Sequence, residues 1–225
     1  MKATHSTPSK TSSAQWYRET RQHHWDAIAR QKVAWQTIGT YYHARLAEVC
    51  AHLVSPGQKV LEIGCGTGDL LASLKPAYGV GVDFSGEMVS RAAKRHPHLR
   101  FVQADAHDPC LNEPFDVIIL SDLVNDLWDV QRVLEGLKDI STPETRIIIN
   151  MYSRLWELPL KLGQALGLST RVLPQNWLTV EDVRNMLSLA GFEVIRNWHE
   201  ILWPLNTPVV STLLNKFAVK FWPFC

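Results

Sequence analysis

Short apolar runs alternate with longer amphipathic stretches through most of this chain, and the alternation predicts a mainly parallel sheet covered by helices on both faces. Runs at 59–63, 79–82, 100–104, 115–120, 146–150 and 192–197 have the length and apolar content of strands. Between them the pattern predicts helices over 69–74, 86–96, 130–140 and 180–190. The last is well punctuated: Thr179 can cap it, Glu181 and Asp182 fill its first turn, and Gly191 follows its end. Upstream, Ile28, Trp35, Ile38, Tyr42, Leu46 and Val49 form an apolar stripe with charged residues on the other side, so 15–50 reads as helical. Ser55-Pro56-Gly57 breaks that pattern and introduces the first strand. The chain divides into a polar lead-in (1–14) expected to be disordered, an N-terminal helical region (15–54), an α/β domain (55–203) and a C-terminal helical segment (204–225).

At 225 residues the chain suits one α/β domain with some elaboration. With 20% charged residues and a net charge of +1, its composition offers no basic surface for nucleic acid. Cys50, Cys65, Cys110 and Cys225 show no metal-binding spacing, so no metal site is expected. Unpaired cysteines and the lack of a signal-like leader or of 18 consecutive apolar residues suggest a cytoplasmic protein with reduced thiols. Most of the nine tryptophans fall outside the predicted sheet, towards the two ends of the chain.

Chemistry concentrates where the first strand ends. Glycines at 64, 66 and 68 separate the strand from a helix, which lets the backbone take positive φ and a ligand approach the main chain. Asp83 ends the second strand, at the distance from the glycine turn where a carboxylate meets ribose hydroxyls in nucleotide-binding folds. The spacing is G-x-G-x-G, not the dinucleotide G-x-G-x-x-G, and Glu62 precedes it. A carboxylate there repels a pyrophosphate and suits a ligand carrying an ammonium group, which argues against an NAD-dependent oxidoreductase.

The string Glu62-Ile63-Gly64-Cys65-Gly66-Thr67-Gly68 resembles motif I of class I S-adenosylmethionine-dependent methyltransferases. Val82-Asp83-Phe84-Ser85-Gly86-Glu87-Met88 and Phe101-Val102-Gln103-Ala104-Asp105-Ala106 resemble that family's next two segments. The resemblance implies a Rossmann-like sheet flanked by helices, with an N-terminal helical lid and a C-terminal helical extension. It also implies a seventh strand, antiparallel and beside the fifth, to be sought near 200–203. S-adenosyl-L-methionine is the implied cofactor. Glu62, Gly64, Cys65, Gly66 and Gly68 would form its loop, Asp83 would take the ribose, Phe84 and Met88 would flank the adenine, Asp105 and Ala106 would meet its amino group, and Ser121 would pass the methionine moiety. For Glu62 a helix-capping carboxylate is the alternative, and for Asp105 a cap on the turn into His107.

The acceptor side is less defined. The stretch 121–129 resembles methyltransferase domains that precede a family 2-type glycosyltransferase in bacterial two-domain proteins, which implies a small-molecule or lipid- or sugar-linked acceptor. The aromatic C-terminus (Phe217, Phe221, Trp222, Phe224, with Lys216 and Lys220) suits a peripheral membrane contact or a helix packing on a fused C-terminal domain, and suggests a chain cut from a longer one. No residue declares itself as the catalytic base; His24, Asp122 and Asp126 are candidates, with helix capping the alternative for the two aspartates. A non-catalytic cofactor-binding module remains the rival from another class.

Overall fold

A computed structural model describes residues 10–30, 40–152, 154, 157, 161, 173–200, 213 and 215. Two N-terminal helices, α1 (Lys10–Arg30) and α2 (Thr40–Leu53), precede β1 (Lys59–Ile63). The α/β part continues with α3 (Asp69–Ser73), β2 (Tyr78–Asp83), α4 (Gly86–Arg95), β3 (Arg100–Gln103), β4 (Val117–Ser121), α5 (Val130–Gly136), β5 (Arg146–Asn150) and α6 (Val180–Leu189).

The five strands form one parallel sheet in the order β3-β2-β1-β4-β5. After β3 the chain crosses back to the other side of β1, so the order reverses between β1 and β4, and ligands of open α/β sheets bind outside the strand ends at such a point. Side chains of adjacent strand residues serve opposite faces. Leu61, Ile63, Ile118 and Leu120 pack with Phe115, Val133, Leu134 and Leu137 on one face. Val60, Val117 and Ile119 pack with Val54 and Leu71 on the other. Both faces are buried, which is why these strands read as nearly unbroken apolar runs.

Local chemistry sets the helix starts. Ser85 caps α4 through its hydroxyl and the Met88 amide (3.2 Å), and Asp129 caps α5 through the Arg132 amide (3.0 Å). Thr179 and Asp182 close a reciprocal capping box on α6.

Three expectations change. Helix α1 begins at Lys10, so the lead-in expected to be disordered through residue 14 is helical over its last five positions. The helix expected over 130–140 splits into α5 and a 3-10 turn, Leu137–Ile140. The sixth strand expected at 192–197 carries no ladder; Ile195 is 90% exposed, and no described strand lies on the free side of β5. A strand exists by its neighbour's hydrogen bonds, so apolar alternation alone does not make one. The seventh strand sought near 200–203 and the helical segment 204–225 fall almost wholly outside the described residues, as do most of 153–172 and the 31–39 part of the N-terminal stripe. Among the described residues no helix is long and apolar enough to cross a membrane.

Candidate active site

The glycine turn is held from both sides. Gly64 and Cys65 donate their amides to Val82 O (2.8 and 3.0 Å), drawing the loop across the end of β2. Gly64, Gly66 and Gly68 all have positive φ (79°, 52° and 74°), a region side chains disfavour, and around Gly66 the space is open. The Gly66 amide donates to Asp83 Oδ2 at 2.9 Å, and Ser85 N donates to Asp83 Oδ1 at 2.9 Å. Asp83 is therefore fixed at the junction of the loop and β2. Burial raises its pKa to about 6, against the pull of those two amides.

Glu62 lies behind the loop, 2% exposed, and accepts the Leu71 amide at 3.1 Å. It caps the first turn of α3, so the capping alternative is realised; burial raises its pKa to about 8. Cys65 packs under the turn, its thiol pushed well above the usual range by burial. A Cβ on Gly81 would lie 2.7 Å from the Phe101 ring and 2.8 Å from Cys65 Sγ, so glycine in β2 is what admits both.

The loop opens into a solvent-connected cleft at the strand ends. Gly64, Asp83, Phe84, Asp105, Ala106 and Asp126 line it, joined by Tyr17, Arg18 and Arg21 of α1 and by His107, Leu123 and Trp128. Glu62, Cys65, Gly66 and Gly68 shape the turn without lining the cleft. Met88 is buried on α4 and Ser121 pairs with Asn150 in the sheet; neither lines the cleft.

Asp105 serves its alternative as well. Its Oδ1 accepts His107 N (2.9 Å) and meets His107 Nδ1 (2.5 Å), while Arg18 approaches Oδ2 at 3.4 Å. Burial would raise its pKa, but these donors outweigh it and hold the carboxyl near 2.

Helix α1 lies across the cleft through polar contacts. Arg21, 4% exposed, pairs with Asp126 Oδ1 at 2.8 Å and stacks 3.6 Å from the Tyr17 ring centroid; Trp25 Nε1 donates to Asp126 Oδ2 at 2.9 Å. Asp26 accepts the Ser85 hydroxyl, and Arg30 pairs with Glu87 at 3.0 Å. Asp126 is thus occupied by α1, not capping α5. His24 stands edge-on to Trp25 (5.6 Å), its pKa lowered by burial, and it does not line the cleft.

Asp122 belongs to a different group. With a non-glycine φ of 53°, it accepts from Tyr42 OH and, at 2.6 Å, from Asn150 Nδ2. Asn125, fully buried, donates to Asn176 O (2.8 Å) and accepts the Tyr152 amide (3.1 Å), fastening the segments after β5 to the turn after β4.

Sequence reasoning missed Tyr17, Arg18, Arg21, Asp26 and Asn150. The Tyr17–Arg21 spacing of one helical turn was a usable signal; Asn150 offered none beyond its place at a strand end. Among the described residues no group of His, Cys, Asp or Glu has the geometry to hold a metal ion.

The site fits a cationic, nucleoside-bearing ligand: a strand-end carboxylate beside an open glycine turn, and acidic groups at Glu62, Asp83 and Asp126, of which Asp126 is paired with Arg21. A methyltransferase-domain family model matches residues 36–197. The demethylmenaquinone methyltransferase of Thermotoga maritima is 30% identical over 185 residues, covering 70% of this chain and 79% of that protein. A Thermotoga maritima structure described as a methyltransferase, possibly for histamine N-methylation, aligns with TM-score 0.67 at 18% identity over 83% of this chain and 88% of that one. The magnesium protoporphyrin IX methyltransferase of Synechocystis PCC 6803, solved with bound S-adenosylhomocysteine, aligns with TM-score 0.60 at 22% identity over 83% and 90%. At these identities the two structures speak for the fold.

Proposed function

Because the chain belongs to the class I S-adenosylmethionine-dependent methyltransferases, we propose that the cleft under α1 holds the cofactor and that the methyl group goes to a small molecule reaching it from the β4–β5 side. The observation that carries this reading is Asp83, which is buried, bonded to the glycine turn through Gly66 and set at the cleft wall. When bound, the cofactor supplies an activated methyl group on a sulfonium, so the protein's work is alignment, exclusion of water and, for some acceptors, removal of a proton.

Each residue then has a task. Asp83 accepts the ribose hydroxyls, and Phe84 and Ala106 flank the adenine. Asp105, held ionised by His107 and Arg18, accepts from the adenine amino group. Glu62 holds α3 so that the loop keeps its shape; burial raises its pKa to about 8, and the charge it gains on ionising favours the cofactor's ammonium over a pyrophosphate. Gly64, Cys65, Gly66 and Gly68 supply a thin turn, Ser121 ends the strand beside the methionine moiety, and Met88 supports the adenine wall from behind. Helix α1 acts as a lid, latched by Arg21 and Trp25 on Asp126.

The acceptor is read as a small molecule or a lipid- or sugar-linked one. Relatives named for demethylmenaquinone and magnesium protoporphyrin support the small-molecule class. The resemblance to glycosyltransferase-associated domains supports the sugar-linked variant. Incubation with S-adenosylmethionine and a panel of quinols, aminolipids and lipid-linked sugars tests it, with mass spectrometry for S-adenosylhomocysteine and methylated product. Methylation of proteins or nucleic acids alone would overturn the acceptor class. Tight cofactor binding without turnover across the panel favours the non-catalytic module.

A further inference from the structure

Beyond Leu123, which lines the cofactor cleft, a second polar group sits at the ends of β4 and β5. Asp122 follows the last residue of β4, Asn150 ends β5, Tyr152 follows two residues later, and Tyr42 reaches down from α2. Ser121 and Asn150 are register partners, so the two strand ends present Asp122 and Asn150 side by side. Asn150 Nδ2 donates to Asp122 Oδ1 at 2.6 Å and to Tyr42 OH at 2.9 Å. Tyr42 OH also donates to Asp122, and the Tyr42 and Tyr152 rings lie nearly parallel with centroids 5.9 Å apart.

Two features of this group are unexplained by the cofactor site. Asn150 Oδ1 is buried and, among the described residues, has no hydrogen-bond partner. Its orientation is settled, because a flipped amide would place an oxygen 2.6 Å from the Asp122 carboxylate. A buried acceptor with nothing to accept calls for a donor from outside the protein. Asp122 also keeps a left-handed backbone (φ 53°) that its neighbours' hydrogen bonds hold in place, a kind of strain that gathers at functional sites.

The chemistry of the missing donor follows from the surroundings. The group offers a free carbonyl oxygen, a carboxylate and two tyrosine rings. Among the described residues no lysine or arginine pairs with Asp122; Arg45, on the same helix as Tyr42, is taken by Glu48 and Glu200. We infer that Tyr42, Asp122, Asn150 and Tyr152 form the acceptor subsite and take a neutral aromatic compound by its hydroxyl, whose single proton is donated to Asn150 Oδ1 on binding and turns to Asp122 for the reaction. The inference rests on the methyltransferase reading above. In the reaction the acceptor oxygen forms a bond to the methyl carbon, and the methyl–sulfur bond breaks with its electron pair left on sulfur. The acceptor's proton moves to an Asp122 carboxylate oxygen. Burial raises the Asp122 pKa to about 6, which keeps it ionised at neutral pH and closer in basicity to a phenol than an exposed carboxylate is. The groups facing it are Tyr42 and Cys50 on α2, Glu62 on β1, Asn150 on β5 and Tyr152.

The test uses the whole chain loaded with S-adenosylhomocysteine and three probes: 2-naphthol, 2-methoxynaphthalene and 2-naphthylmethylamine. Calorimetry is expected to show 2-naphthol binding about tenfold or more tighter than the ether, as in sites built to bond a hydroxyl. Asn150→Leu, Asp122→Asn and the milder Tyr42→Phe should erase or weaken that preference while S-adenosylhomocysteine affinity stays within about twofold. With S-adenosylmethionine, 2-naphthol methylation should show an acid limb near pH 6 that Asp122→Asn removes along with about 10²- to 10⁴-fold of rate. A merely structural Asp122 would leave the limb in place. The inference is overturned if wild type shows no hydroxyl preference, prefers the amine, or keeps its hydroxyl preference in all three variants. Failure of wild type to bind S-adenosylhomocysteine at all would instead break the methyltransferase reading, and this inference with it.

Discussion

The proposed cofactor side and the proposed acceptor side, both at the strand ends, are built in opposite ways. On the cofactor side the parts are close in sequence: a strand, a glycine turn, a helix and a second strand ending in Asp83, joined by bonds such as that from the Gly66 amide to the Asp83 carboxylate across 17 positions. On the acceptor side the parts come from far apart, with Tyr42 meeting Asp122 across 80 positions and Asn150 across 108. The first geometry is dictated by backbone conformation and tolerates few residue types. The second depends on side chains brought together only by the finished sheet, so it can change its acceptor without disturbing the cofactor. A common frame with a variable acceptor site follows from that difference.

Substitutions can break the comparison, and the largest effect is expected at the joint between the two sides. Arg21→Ala removes the partner of Asp126, where the two side chains are only 5% and 12% exposed. Breaking such a buried pair costs about 3–5 kcal/mol. Helix α1 packs against α4, so the loss should appear as faster hydrogen exchange in α1 before global unfolding; unchanged exchange there would contradict the latch.

Gly81→Ala attacks the cofactor side. Its methyl group would press on the Phe101 ring and Cys65 Sγ, a crowding worth about 1–3 kcal/mol. Urea denaturation should show the loss, and Phe101→Leu in the same chain should recover part of it. Asn125→Ala attacks the other side by orphaning the Tyr152 amide and Asn176 carbonyl, at a cost of about 1–3 kcal/mol. Cofactor affinity should barely move, in contrast to Gly81→Ala. Equal loss of cofactor binding in both variants would mean that the two sides are not separable.

The smallest effect is graded with pH. Glu62 titrates near 4.5 when unfolded and about 8 when folded, and Asp83 moves from 3.8 to about 6. Between those limits the native state holds more protons than the unfolded one, so these groups make the unliganded protein less stable as pH rises from about 4 to about 8. Asp105 acts oppositely: its folded value near 2 gives stability present above 3.8 and lost as pH falls towards 2. The ammonium group and ribose hydroxyls of S-adenosylhomocysteine favour the ionised carboxylates, so its affinity should rise over the range where Glu62 and Asp83 lose their protons. Thermal melts with and without ligand across pH 5 to 8 check both slopes; parallel slopes would remove the role given to these carboxylates.

The proposed cofactor side is legible in the sequence because its constraints are local. Positive φ at 64, 66 and 68 needs glycine, and a strand-end carboxylate must follow at a fixed spacing, so Asp83 could be placed from the sequence alone. Roles that depend on partners were less legible. Glu62 and Asp105 each carried two readings, and the structure shows the helix-cap and turn-cap contacts. Asp126 stood beside Asp122 as an equal candidate until α1 was seen to occupy it. Asn150 could be placed at a strand end, but not the empty hydrogen-bonding position of its carbonyl, which exists only once Tyr42 arrives from α2. The stretch 192–197 shows the same limit for the fold: its alternation resembles a strand, but a strand needs a neighbour.

The most direct test of the central claim is ligand-induced stabilisation of the purified chain by S-adenosylhomocysteine, set beside NAD and the Asp83→Ala variant. At 100 times its Kd a ligand stabilises by about 2.7 kcal/mol. For a domain of this size that is a rise in Tm of roughly 5–10 °C. The account predicts that rise with S-adenosylhomocysteine, none with NAD, and its loss in Asp83→Ala at the same concentration. A rise with NAD instead, or a full S-adenosylhomocysteine shift that survives Asp83→Ala, would contradict it.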